Sequence, residues 1–223
     1  DMRRGGGARV WDGAECLSEW LCDPAGGGAH AWLDVRDISS VLELGCGVGL
    51  LLVVIARLGA LRVVATDGES RLCAMTSSNA RRSGVDSRVV SLPLEWGHTS
   101  ELGPVAEAMA EGGRCSPLIV AADVLTDRSE AAADALEASV RRLLALGGCR
   151  AVLLCWKTRN FREELFLRRL VDLGTVHVLS RSVGDPPPPE TASEEEADAW
   201  KGRNQGSVVV AALRVGGRAS SGG

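Results

Sequence analysis

The chain has 223 residues, 45% hydrophobic and 24% charged, enough to bury one sizeable core in a single domain. Its formal charge of −4 is concentrated in Glu190, Glu194, Glu195, Glu196 and Asp198; outside that stretch the charges nearly balance, so no global field favours nucleic acid. The longest apolar run, Val48–Ala56, is too short to span a bilayer, and seven cysteines without a CxxC pair indicate reduced thiols rather than a disulfide framework or a metal site, hence an intracellular location in cytoplasm or nucleus.

Residues 1–9, with Arg3, Arg4 and Gly5–Gly7, read as a disordered segment that lacks the apolar core of a signal peptide. Asp12 is placed to cap a short helix through Leu21, with Ala14, Leu17 and Leu21 on one face, and Gly26–Gly28 ends that unit. From there β-branched runs alternate with helical patterns. The strand candidates are Val41–Leu44, Arg62–Thr66, Ser87–Leu92, Pro117–Asp123, Arg150–Trp156, Val176–Ser180 and Ser207–Val215. Helical period marks Leu50–Leu58, Glu69–Ser83, Glu130–Leu146 and Phe161–Leu173. Alternation of this kind builds βαβ units and a parallel sheet covered on both faces.

The connection between the last two strands differs. It carries Gly184, Asp185 and four prolines, then the acidic stretch, and reads as an exposed mobile loop with no helix in it. A direct return of this kind favours antiparallel pairing of the last strand. The expected fold is therefore α/β: a Rossmann-like, doubly wound, mostly parallel seven-stranded sheet with an antiparallel last strand and a short N-terminal helical segment. One domain spans residues 10–215, with a disordered tail over 216–223.

The most specific local feature is the turn after the first strand. Glu43 and Leu44 lead into Gly45, Cys46, Gly47, Val48 and Gly49, and an apolar helix follows at once. Glycine at a sheet edge allows a backbone to approach a ligand closely. A dinucleotide fingerprint requires GxGxxG, and Leu50 occupies the place of its third glycine, so the spacing is GxGxG. Glu43 would repel a phosphate but suits an ammonium group, and Asp67 at the end of the second strand is placed to accept hydrogen bonds from ribose hydroxyls. A nucleoside with an amino-acid moiety satisfies both, and S-adenosylmethionine (SAM) is the common cofactor of that description. The alternative is a tight strand-to-helix turn with no ligand.

Residues 41–50 together with Ala65, Thr66 and Asp67 resemble the glycine-rich and acidic motifs of class I SAM-dependent methyltransferases. More narrowly, Val10-Trp11-Asp12-Gly13-Ala14, Ser78-Asn79, Leu94-Glu95-Trp96-Gly97 and Ala122-Asp123 resemble the methyltransferase-16 family, many of whose members are protein-lysine methyltransferases. That resemblance implies a cofactor site made by Trp11, Glu43, Gly45, Cys46, Gly47, Gly49, Asp67, Trp96 and Ala122. Trp96 also earns the place from its chemistry, since an indole after a strand turn offers a flat face to a purine. Each tryptophan has a structural alternative, Trp96 as a core residue and Trp11 as a staple for the first helix.

On the acceptor side, Asp123 is placed as a positioning residue for an amine, with helix capping or satisfaction of nearby backbone groups as its alternative. The family begins Asp-x-x-Tyr here, whereas this chain reads Asp123-Val124-Leu125-Thr126 and contains no tyrosine. Thr126 and Trp156 are the expected walls of the acceptor channel. The expected activity is methyl transfer to a protein side chain, lysine first, by a monomer with no nucleic-acid or membrane partner. The rivals are a small-molecule N- or O-methyltransferase and a SAM-binding interaction protein with impaired catalysis.

Overall fold

Seven strands form one sheet in the order β3-β2-β1-β4-β5-β7-β6. They are β1 (Ser40–Leu44), β2 (Arg62–Asp67), β3 (Val89–Pro93), β4 (Leu118–Ala122), β5 (Ala151–Lys157), β6 (Gly174–Arg181) and β7 (Val208–Val215). The computed structural model describes residues 8–23, 40–111, 118–125, 129–147, 149, 151–159, 162–181, 193, 195, 196, 199 and 206–215. Both expected disordered ends, save residues 8 and 9, lie outside the described residues, as do Gly26–Gly28, Thr126 and most of the Pro-rich and acidic connection.

The first five strands pair in parallel, and β7 runs antiparallel to both β5 and β6. The antiparallel last strand is present as expected, inserted between its neighbours rather than added at the edge, but the connection before it is not free of helix: Glu195, Glu196 and Ala199 are helical. Helices cover both faces: α1 (Asp12–Cys22), α2 (Leu50–Leu58), α3 (Ser70–Arg82), α4 (Leu102–Ala110), α5 (Glu130–Gly147) and α6 (Arg162–Arg168). Strand parity divides the core. Val41, Val63, Val120 and Leu153 pack with Leu17 of α1 and Leu51 and Ile55 of α2. Leu42, Val64, Ile119, Leu154 and Trp156 pack on the other side with Val105 of α4, Leu136 and Val140 of α5, and Phe166 of α6.

Three details depart from expectation. Helix α4 was not anticipated, although Leu102, Val105 and Met109 are buried along one of its faces and Pro104 sits in its first turn, where a missing N–H costs nothing. The third strand starts later than expected because a 3-10 turn over Asp86–Arg88 precedes it. Asp12 does not cap α1: Trp11 holds the N-cap position without a side-chain cap, and Asp12 is the first helical residue, its carboxylate 2.7 Å from the Lys157 ammonium.

Candidate active site

The strand order reverses between β1 and β4, and open α/β sheets bind ligands at the carboxyl ends of the strands at such a point. The glycine turn leaves β1 there. Its chain is pinned on every side: the Cys46 N–H donates to the Thr66 carbonyl (2.8 Å), the Thr76 hydroxyl to the Gly47 carbonyl (2.9 Å) and the Asn79 amide to the Val48 carbonyl (2.8 Å). Gly49, the N-cap of α2, has φ +84°, and a Cβ there would come within 2.9 Å of Leu52 and 3.1 Å of Thr76. Backbone conformation and space therefore both demand glycine. Asn79 fell within a segment noted for its resemblance; Thr76 gave no sequence signal, being one small polar residue inside a helix.

Glu43 lies on the side of β1 that faces α1 and α2. It is 3% exposed, and its Oε2 has no hydrogen-bond partner among the described residues. Burial first, and the charge of Asp67 second, push its carboxyl up to about 8, against a Leu52 N–H that favours the charged form. It borders a small pocket shared with Trp11, Gly45, Cys46, Gly47 and Ala122. Asp67 accepts the Gly47 N–H on Oδ2 and the Glu69 N–H on Oδ1, both at 3.0 Å. A carboxylate offers about four acceptor sites, so roughly half of its capacity remains for a ligand. Trp96 packs partly buried beside the turn, with its ring edge 3.6 Å from the point a Gly45 Cβ would occupy.

These residues fit SAM. An orphaned buried carboxyl oxygen suits an ammonium group, Asp67 retains acceptor capacity for hydroxyls, and an indole flanks the same turn.

Asp123 is a different matter. Its φ is +53°, which among the described residues is the one left-handed backbone outside glycine. Its side chain is fully buried and takes four hydrogen bonds: Oδ1 from the Lys157 N–H (2.9 Å) and Arg159 Nη1 (2.7 Å), Oδ2 from the Gly13 N–H (2.6 Å) and Arg159 Nη2 (3.1 Å). Its acceptor capacity is filled by the chain's own donors. The alternative of satisfying backbone groups describes it better than acceptor positioning, but the groups come from distant segments rather than neighbouring ones. Gly13 and Arg159 carry no local mark of these contacts, which span 110 and 36 positions.

Trp156 corrects an expectation. It is 4% exposed and packs with the α4–α6 core, since residues 152, 154 and 156 share that face of β5; it does not wall an open channel. Lys157 is paired with Asp12 while both side chains stay partly exposed.

Residues 1–172 match the family model described as lysine methyltransferase, more than three quarters of the chain. The chain belongs to that family. Among individual proteins, the protein-lysine N-methyltransferase EFM3 of Chaetomium thermophilum is 32% identical over 166 residues, covering 72% of this chain and 46% of that protein. A ribosomal protein L11 methyltransferase of Alteromonas mediterranea is 43% identical over 67 residues, 29% of this chain and 23% of that one. The chain thus spans less than half the length of these curated relatives. In solved structures the fold recurs in a ribosomal protein L11 methylase from Lactobacillus delbrueckii subsp. bulgaricus, with TM-score 0.55 and 15% identity over 94% of this chain and 82% of that one. It also recurs in a putative RNA methyltransferase from Pyrococcus horikoshii, with TM-score 0.56 and 13% identity over 91% and 83%.

Proposed function

We propose that this chain binds SAM at the β1 turn and transfers its methyl group to the side-chain amine of a protein lysine. The observation that carries the cofactor reading is the unpartnered Glu43 oxygen in the pocket beside the glycine turn. Membership of the lysine methyltransferase family supports the acceptor, as does the likeness to a protein-lysine N-methyltransferase over most of the chain. When bound, SAM supplies a methyl group on a sulfonium, with a neutral thioether as the leaving group. Glu43 holds the ammonium end, the Gly45–Gly49 backbone leaves room for the amino-acid moiety, Asp67 takes the ribose, and Trp96 flanks the base. Trp11 and Ala122 close the pocket beside the turn. The sheet edge then contributes alignment, which is the main requirement of an in-line displacement.

A second reading, SAM binding without transfer, is favoured by one observation: Asp123, with its four bonds from protein donors, has no acceptor site left for a substrate amine. Incubation with methyl-labelled SAM and a cell lysate separates the two. The expected result is a labelled protein whose label maps to lysine and disappears with Asp67→Ala. Label confined to small molecules overturns the protein acceptor, and SAM binding with no labelled product favours the second reading. The ribose contact is worth about 1.5–3 kcal/mol as a hydrogen bond to a charged group, so Asp67→Ala is expected to weaken SAM by roughly ten- to a hundredfold.

A further inference from the structure

Helix α1 begins without a local cap. Its N-cap is Trp11, which makes no side-chain cap bond; the Ala14 N–H turns back to the Trp11 carbonyl at 3.0 Å, and the Gly13 N–H looks elsewhere for an acceptor. The Gly13 N–H finds one in Asp123 at the end of β4, 2.6 Å away. A carboxylate at a helix N-terminus also meets the positive end of the helix dipole. Asp123 is therefore the cap of a helix it does not belong to. The approach is so close that a Cβ on Gly13 would sit 2.8 Å from the Asp123 carboxyl carbon, so any other residue there would have to displace the Asp123 side chain.

That arrangement needs a counter-charge. Asp123 is buried, and an unpaired buried carboxylate tends to take up a proton, which would weaken it as an acceptor. Arg159 supplies the charge through both nitrogens of its fork, on both oxygens, and its guanidinium carbon also lies 5.3 Å from the centre of the Trp11 ring. Arg9 lies over the same ring at 3.8 Å. Beside this contact, Lys157 pairs with Asp12 and its own N–H completes the Asp123 shell. Arg9, Val10, Trp11 and Ala14 all line the pocket that holds the unpartnered Glu43 oxygen.

We infer that Arg159 is a positioning residue: by locking Asp123 as the remote cap of α1 and bordering the Trp11 ring, it latches residues 9–14 over the pocket beside the glycine turn. The residue acts on the cofactor through Trp11 and α1, with no contact of its own. This inference rests on the reading of that pocket as the SAM site. A lysine at 159 would keep the charge but present one nitrogen instead of a planar fork, so it should hold the latch only in part.

The test uses the whole chain and two readouts. Hydrogen exchange on the ligand-free protein is expected to show protected amides at Gly13 and through the first turn of α1. In Arg159→Ala exchange there should accelerate at least tenfold, while the amides of β1 and β4 keep their protection. SAM titration should give a dissociation constant at least tenfold weaker in Arg159→Ala and an intermediate value in Arg159→Lys. If transfer is measurable, KM for SAM should rise more than kcat falls. The double variant Asp123→Asn, Arg159→Ala leaves no buried charge unpaired, so it keeps the comparison available if the single variant fails to fold; it too should expose α1. Unchanged exchange at α1 in these variants overturns the latch, as does tighter SAM binding or faster transfer in Arg159→Ala, which would make Arg159 an obstruction. Failure of the wild-type protein to bind SAM would sink the cofactor reading, and the exchange measurement would still decide the latch.

Discussion

Glu43 shows how a single buried group can connect ligand binding to proton binding. Burial pushes its carboxyl up to about 8 from the ordinary 4.5. A folded-state value above the unfolded one means that the native state keeps a proton the unfolded chain has released. The stability this contributes is fully present below about 4.5 and is lost as pH rises through about 8. The ligand-free protein should therefore melt at progressively lower temperature across that window, by an amount on the order of a few kcal/mol in stability. Glu43→Gln should flatten the slope, because an amide does not titrate. Binding an ammonium beside the orphaned oxygen favours the carboxylate, so SAM should expel a proton between those limits. Calorimetry in buffers of different ionisation enthalpy checks this: equal apparent enthalpies at pH 7 would remove Glu43 from the ammonium site. The residue type at 43 was legible in the sequence, but its direction was not. Strands buried on both faces carry no polar alternation to reveal which side faces which helix. The same blindness set Trp156 beside a channel, when the face it shares with Leu154 turns it into the α4–α6 core.

The glycine turn and helix α2 act as one unit, and the strongest mechanical demand on it falls at the junction. Gly49 combines a left-handed φ of +84° with two close neighbours, Leu52 and Thr76. Alanine there meets a backbone penalty of about 1–2 kcal/mol before any contact has to move. Gly49→Ala should lower the urea midpoint accordingly and also weaken SAM, since relief of the contact displaces the turn. A variant as stable and as competent as wild type would show that the turn adapts. This unit was legible because its signal is local: a strand, a fixed glycine spacing and a helix follow one another within a few positions. The βαβ order and the antiparallel return of β7 were legible for the same reason. Helix α4 was overlooked despite apolar residues at helical spacing, with Gly103 and Pro104 masking its first turn. The start of α1 was misassigned for a physical reason: its cap comes from Asp123, and a cap supplied across 110 residues leaves no trace beside the helix it serves.

At the scale of the molecule, the parallel half of the sheet gathers the site and the antiparallel end supports it. β1 brings Glu43 and the turn, β2 brings Asp67, and the ends of β4 and β5 bring Asp123 and Arg159 to the same edge. Across the sheet from β5, β7 covers what would otherwise be an exposed edge, and β6 takes its outer side. The groups of the proposed site are therefore brought together only by the folded sheet, and the unfolded chain offers no equivalent site. A ligand that binds only the folded state at about 100 times its dissociation constant adds about 2.7 kcal/mol, which for a domain of this size raises the melting temperature by roughly 5–10 °C. SAM and its demethylated product should both produce such a shift, because in the proposed site Glu43, Asp67 and Trp96 would face parts the two share. NAD and NADP should not: Leu50 stands where the glycine spacing their pyrophosphate requires has its third glycine. A shift with NAD comparable to that with SAM would show that the crevice accepts phosphate despite its short glycine spacing.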